Sequence, residues 1–355
     1  MGPNGFTIVN ASSALAGGAN ADNYSGEQDI YAGYLMADFD FDIGVGEGLQ
    51  VQAGLRVESG DLSVETDAIA GGTPRIGEID ETDYLPSLNM TLFLDDSSQL
   101  RLAASRTINR PQFRELSPTQ FRDPETRFES VGNPNLEQAE VTSLDLRYEY
   151  YWSRSEGVSI AAFYKDLEKP IEIVTIGGGS DDRGVRSFAN AESGELYGVE
   201  VDGRYSLSAL ENVAPLLADF YLSGNLAWVD SKVSVGADSI GIGTNRDREL
   251  QGQSPWVANV GLGYSNPSSG IDAILLFNMF GERIVEAGVN GAPDAKEQPR
   301  ALLDLNVKQV LFDRWVVGLK FRNLLDSEFE VEQGSGVQRS FKSGREMTLS
   351  VSYEF

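Results

Sequence analysis

The residues best placed to do chemistry in this 355-residue chain are carboxylates and arginines, because it contains no histidine and no cysteine. A Ser-His-Asp triad, a Cys-His pair, a histidine zinc site and a histidine-ligated haem are therefore impossible within it. Thiolate metal sites, thiol nucleophiles and disulfide frameworks are excluded too. Any enzyme chemistry would rest on carboxylates, Lys, Tyr or Ser alone. The reading is of a non-enzyme with no cofactor and no metal centre.

Two groups of charged residues stand out. Asp38, Asp40 and Asp42 interleave with Phe39, Phe41 and Ile43, a spacing that puts the three carboxylates on one face of a strand. A calcium loop would need Gly at its sixth place and Glu at its twelfth, where Ile43 and Leu49 stand. The expectation is a luminal acidic ladder facing a plug or a cation, against the plainer alternative of an ordinary polar lining. The second group is Arg110, Arg114, Arg122 and Arg127, set among Asp123, Glu125 and Glu129 in the longest loop, Ile108 to Glu137. Arginines so placed can grip an anionic or chelated ligand, or tie loop to loop by salt bridges. Gly177–Gly179, followed by Asp181-Asp182-Arg183, has no helix after it to supply a dipole, and Gly241-Ile242-Gly243 lacks the third glycine of a dinucleotide fingerprint. Both are read as loop tips. Gly132-Asn133-Pro134 reads as a turn returning the chain to a strand.

The elements that must position these residues are legible from period and punctuation. Met347, Leu349, Val351, Tyr353 and Phe355 fall on one face of the last segment, and Thr348, Ser350, Ser352 and Glu354 on the other. Leu144, Leu146, Tyr148, Tyr150 and Trp152 likewise oppose Ser143, Asp145, Arg147 and Glu149. Such alternation predicts strands with one apolar and one polar face. About thirteen segments carry it: 28–43, 47–64, 79–96, 97–108, 137–154, 156–175, 184–208, 214–234, 250–266, 269–288, 297–313, 314–332 and 337–355. Short turns near 44–48, 95–98, 153–157, 210–214, 266–270 and 313 alternate with longer polar loops near 65–78, 109–136, 176–184, 235–249 and 289–296. A membrane barrel connects its strands in this way. Tyr150, Trp152, Tyr205, Tyr264, Trp315, Tyr353 and Phe355 lie at the short-turn ends of their apolar faces, with Tyr84 and Trp228 toward the long loops, as in the aromatic girdles of such barrels. No apolar run approaches the roughly 18–20 residues of a transmembrane helix. The fold class predicted is all-β, an antiparallel transmembrane β-barrel of about 13–14 strands. The net charge of −26 excludes a nucleic-acid partner, which would need a basic footprint. The first twenty residues lack the basic region of a leader, so residues 1–27 read as a loop or strand remnant of a mature or truncated product.

An ordered series of motifs adds a resemblance. It runs Tyr84-Leu85-Pro86-Ser87-Leu88-Asn89, Leu100–Thr107, Arg110-Pro111-Gln112-Phe113, Leu116-Ser117-Pro118 and Gly132-Asn133-Pro134-Asn135-Leu136. It continues through Ala162-Phe163-Tyr164-Lys165-Asp166, Pro170-Ile171-Glu172, Gly198-Val199-Glu200 and Asn323-Leu324-Leu325-Asp326 to the terminal Phe355. From about Gln28 onward the series resembles the C-terminal barrel of TonB-dependent outer-membrane receptors. The resemblance implies a 22-stranded barrel of a Gram-negative outer membrane, of which residues 28–355 would be a portion. It also implies uptake of a scarce nutrient such as a siderophore, cobalamin or oligosaccharide, energised by the TonB complex through a plug and TonB box that these residues do not include. Tyr353 and Phe355 resemble the signal read by the barrel assembly machinery, and outer-membrane lipid would be the surrounding partner. The rival readings are a passive porin-like barrel of about fourteen strands and a soluble all-β adhesin or carbohydrate-binding protein.

Overall fold

The computed structural model describes residues 24–66, 75–122, 129–176, 185–236, 243–312 and 314–353. Thirteen strands form the wall: β1 (Tyr24–Phe41), β2 (Gly48–Thr66), β3 (Arg75–Asp95), β4 (Ser98–Asn109), β5 (Ala139–Ser153), β6 (Glu156–Glu168), β7 (Ser193–Ser206), β8 (Phe220–Ser234), β9 (Trp256–Asn266), β10 (Ile271–Phe280), β11 (Ala301–Leu311), β12 (Trp315–Arg322) and β13 (Glu346–Tyr353). Each pairs antiparallel with the next in one unbroken path. Among the described residues β1 and β13 do not pair with each other, and β1 is exposed along its whole length. No helix of the described residues is long and apolar enough to cross a membrane, which says nothing of strands.

Register fixes which side chains share a face. The row Tyr148, Ile160, Val201, Leu226, Ala258 runs on one side of the sheet. The row Glu149, Ser159, Asp202, Asn225, Asn259, Asn278 runs on the other. Most large exposed hydrophobics of the wall, among them Leu144, Leu146, Ile160, Val199, Leu226, Leu262, Leu349 and Val351, lie on the first side, while Tyr34 and Met36 of β1 and Leu276 of β10 lie on the second. Among the described residues, the buried apolar clusters form at the long-loop end. One holds Leu62, Val64, Ile79, Leu116 and Leu136; the other holds Val174, Ala189, Ala191, Val233 and Val235. The protein thus carries most of its oil on the outside of the wall, the reverse of a water-soluble sheet packed on a core.

Three corrections to the sequence reading follow. Six predicted strands break in two, with the two limbs of each hairpin breaking at matching levels: 156–175 and 184–208 at Lys169–Pro170 and Ala191–Glu192, 269–288 and 297–313 at Gly281–Glu282 and Gln298–Arg300, and 314–332 and 337–355 at Asn323–Ser327 and Ser343–Arg345. Lys169, Asn323 and Asp326 have φ of 51°, 52° and 51°, a left-handed backbone that ends a strand, while the alternation of residue types runs on through the breaks. Above the breaks the chain re-pairs into two small sheets. One joins residues 120–122, 129–131, 185–190 and 171–176; the other joins 283–286, 295–297, 328–333 and 336–342. Second, β8 begins at Phe220 rather than 214, because Leu207–Leu210 and Pro215–Asp219 form short 3-10 helices in the β7–β8 connection. Third, β1 ends at Phe41, so Asp42 leaves the strand and its carboxylate accepts the Gly44 N–H at 3.1 Å in the turn.

Candidate functional site

The polar side of the wall is a nearly continuous band of cross-strand hydrogen bonds. Gln52 donates to Asp38 at 2.9 Å, and Asn89 donates to Gln52 at 3.5 Å. On β4 to β7, Arg101 lies 3.1 Å from Glu149, and Arg147 reaches both Glu149, at 2.8 Å, and Asp202, at 2.7 Å. Further round, Asn225 donates to Glu200 at 3.0 Å, Asn259 to Asn225 at 2.7 Å and Asn278 to Asn259 at 2.6 Å. The three asparagines stand directly opposite one another in register. Asn225 and Asn259 each donate and accept at once, so each passes the ladder from one strand to the next. A cleft of about 510 Å³ opens over this band, lined by Asp38, Gln50, Gln52, Asn89, Arg101, Asp145 and Arg147.

The long-loop end is stitched by ion pairs between distant segments. Above Ser87–Ser105, where Pro86 has no N–H to give, β4 parts from β3. Arg110 enters here. Its guanidinium binds Glu58, and Asp83 at 3.0 Å, while Gln138 donates to the other Asp83 oxygen at 2.7 Å. The short helix α1 (Phe113–Leu116) then lays Leu116 and Phe113 on the inner face of the β2–β3 ribbon. Arg248 and Glu172, 3% and 8% exposed, meet at 2.8 Å between the 247–248 segment and the 171–176 strand. Burial pushes the Glu172 carboxyl up from its ordinary value, against the pull of the guanidinium. Glu286 binds Arg186 with one oxygen and accepts from Gln338 at 3.3 Å with the other, joining the two small sheets. Lys296 and Glu282 pair at 2.7 Å; their hydrogen bond holds the carboxyl below and the ammonium above the usual range.

The residues singled out in the sequence are distributed as follows. Asp38 and Asp40 lie on the polar face of β1, opposite Gln52 and Gln50, and Asp42 lies in the turn. Arg110 is occupied by two carboxylates, the bridging role held beside ligand grip in the sequence reading. Arg114 is exposed, its guanidinium 3.6 Å from the centre of the Phe121 ring. Arg122 ends the 120–122 strand, and Arg127 and the two glycine-rich tips at 177–183 and 241–242 lie outside the described residues. Asn133 and Pro134 do form a turn, with the Asn135 N–H bonded to the Asn133 side chain at 3.0 Å. Tyr353 faces outward, edge-on to Trp315 at 5.0 Å, and Phe355 lies outside the described residues. Tyr150, Trp152 and Tyr205 form a second outward cluster at the short-turn end, with centroids 6.0 and 5.9 Å apart. The Asn225–Asn259–Asn278 ladder and the Glu172–Arg248 pair were missed. The three asparagines sit in three different strands, and only register brings them together; the pair is 76 residues apart in sequence.

An antiparallel wall that is apolar outside and polar within, with short turns at one end and built-up loops at the other, defines the class of β-barrel receptors. The family described as TonB dependent receptor-like, beta-barrel matches residues 2–324, and the chain belongs to it. This is a family of transporters and receptors, not of enzymes. Similar solved structures include the FrpB iron transporter from Neisseria meningitidis, at 10% identity and a TM-score of 0.62 over 99% of this chain and 49% of that one. The ferric yersiniabactin uptake receptor FyuA from Yersinia pestis is 14% identical, with a TM-score of 0.62 over 94% and 47%. The copper transporter OprC is 16% identical, with a TM-score of 0.67 over 93% and 48%. The chain thus spans about half the length of these solved receptors. No curated protein matches it.

Proposed function

We propose that this chain forms wall of an outer-membrane receptor that takes up a scarce nutrient, with lipid on its apolar face and a TonB-coupled plug against its polar band. The observation that carries the reading is an apolar face that persists through thirteen consecutive antiparallel strands, opposed over most of them by a polar one. The nutrient would be of the siderophore, cobalamin or oligosaccharide class. Ferric chelates come first among these, since several similar receptors are named for iron or its chelates. Arg114, Arg122 and Arg127 on the long loop are the candidate contacts for an anionic chelate, Asp38 and Asp40 would face the plug or a passing cation, and Tyr353 with Phe355 would serve assembly.

The test is expression, in a Gram-negative outer membrane, of the intact receptor whose wall this chain forms. The protein is expected to fractionate there, to migrate faster unheated than boiled on a gel, and to accumulate a ferric chelate only while the proton-motive force is intact. Accumulation that persists when that force is collapsed would favour the passive pore instead, and a monodisperse protein in detergent-free buffer would remove the membrane reading altogether.

A further inference from the structure

On the outward face of β7 and β8, Gly203 and Gly224 stand directly opposite each other, continuing a row that runs Val158, Gly203, Gly224, Val260. The rows on either side carry larger groups: Val201 and Leu226, with the small Ala258 beyond them, above, and Tyr205, Leu222 and Leu262 below. Two missing side chains in one row leave a trough. It measures about 480 Å³, is floored by the two glycines and is walled by Trp152, Val201, Tyr205, Leu222, Leu226 and Val260. Backbone packing makes the glycine necessary at one of the two positions: a Cβ on Gly224 would stand 2.5 Å from the Asn259 carbonyl oxygen.

We infer that this trough seats one acyl chain of a membrane phospholipid. The inference rests on the membrane reading above and adds a defined site to it. The trough is continuous with the apolar band of the wall, and the Trp152–Tyr205 pair at its short-turn end, 5.9 Å between centroids, stands where amphipathic rings meet head groups. Hydrocarbon gains nothing from apolar wall as such, because lipid is equally apolar. A depression differs from a flat wall in that an unfilled one forfeits dispersion contacts on every side. One chain lying in it recovers them, so the seat holds a chain in preference to the passing lipid around it.

Quenching by phospholipid brominated on its acyl chains separates the possibilities, in nanodiscs containing single-tryptophan variants. One variant keeps Trp152 (Trp228→Phe, Trp256→Phe, Trp315→Phe). The other keeps Trp315 (Trp152→Phe, Trp228→Phe, Trp256→Phe), which lies in the same girdle beside Tyr353, next to a row that carries Val317 and Val351 where the trough carries glycines. The Trp152 signal is expected to saturate at a brominated-lipid fraction about fivefold lower than the Trp315 signal, the enrichment that a handful of recovered contacts gives. Ala258→Phe, which fills the trough from its upper row, is expected to bring the Trp152 curve onto that of Trp315. Identical curves for the two tryptophans, or a Trp152 excess unchanged by Ala258→Phe, would overturn the seat while leaving the membrane reading intact. Absence of quenching at both would overturn the membrane reading and the seat with it.

Discussion

Replacing Arg110 with methionine should loosen the long-loop end without touching the wall below it. The guanidinium is 12% exposed, and its partners Glu58 and Asp83 are 9% and 6% exposed, so solvent screens the cluster little. Removing it leaves Glu58 with Arg56, whose Nε donates at 2.8 Å, but leaves Asp83 with only the Gln138 amide. Stranding a buried charge in this way costs about 3–5 kcal/mol, and the retained Arg56 puts the case near the low end, about 3 kcal/mol. Hydrogen exchange reads this directly. Amides of Leu62, Val64, Ile79, Leu116 and Leu136, which form the core beside the cluster, should exchange roughly 100-fold faster if they open together. Amides of β9 to β12 should not change. Adding Asp83→Asn removes the stranded charge and should restore part of the protection. Exchange within about threefold of the original, or a double variant looser than the single, would refute the idea that this arginine is there to hold the loop. Arg114→Ala is the contrast: an exposed arginine on one ring contributes about 0.5–1 kcal/mol and should change exchange only a few-fold.

Two further outcomes are expected. In Arg248→Met, Glu172 stays buried without its cation, so its folded pKa rises further above the unfolded value. Its contribution to stability is then present below the unfolded value and lost as pH rises through the folded one. Protection of the 171–176 and 185–190 strands should therefore fall as pH rises above the ordinary carboxylate range in the variant, more steeply than in the parent protein. On the wall, Leu226→Arg places a charge on the apolar face and should cost about 2–4 kcal/mol in folding into vesicles, whereas Asn225→Arg, one residue away on the polar face, should cost well under half of that. Equal costs would contradict the assignment of the two faces.

The wall was legible because its signal is local and repeated. Leu144 to Trp152 and Met347 to Tyr353 announce their faces by residue type alone, and the Gly-, Asp- and Ser-rich turns set the ends. The tops of the hairpins were not legible as separate pieces, because Ile171-Glu172-Ile173-Val174 keeps the period of β6 across Lys169 and Pro170. Period two reports strand and is silent about which neighbour it pairs with. The candidate site was legible in composition rather than in contact. Arg110 was found as an arginine in a long loop, but its commitment to Glu58 and Asp83 depends on β4 leaving β3, a tertiary event that no short stretch of sequence encodes.

Because both limbs of three hairpins stop at one level, each crown is attached to its stave through two short connectors and inherits none of the register beneath. A residue inserted within a stave reverses every side chain beyond it and turns grease toward water. The same insertion in a crown ends at the connector. Evolution is thus free to rewrite what the crowns meet, in length as well as in composition, while the staves keep their seat in the surrounding solvent unchanged.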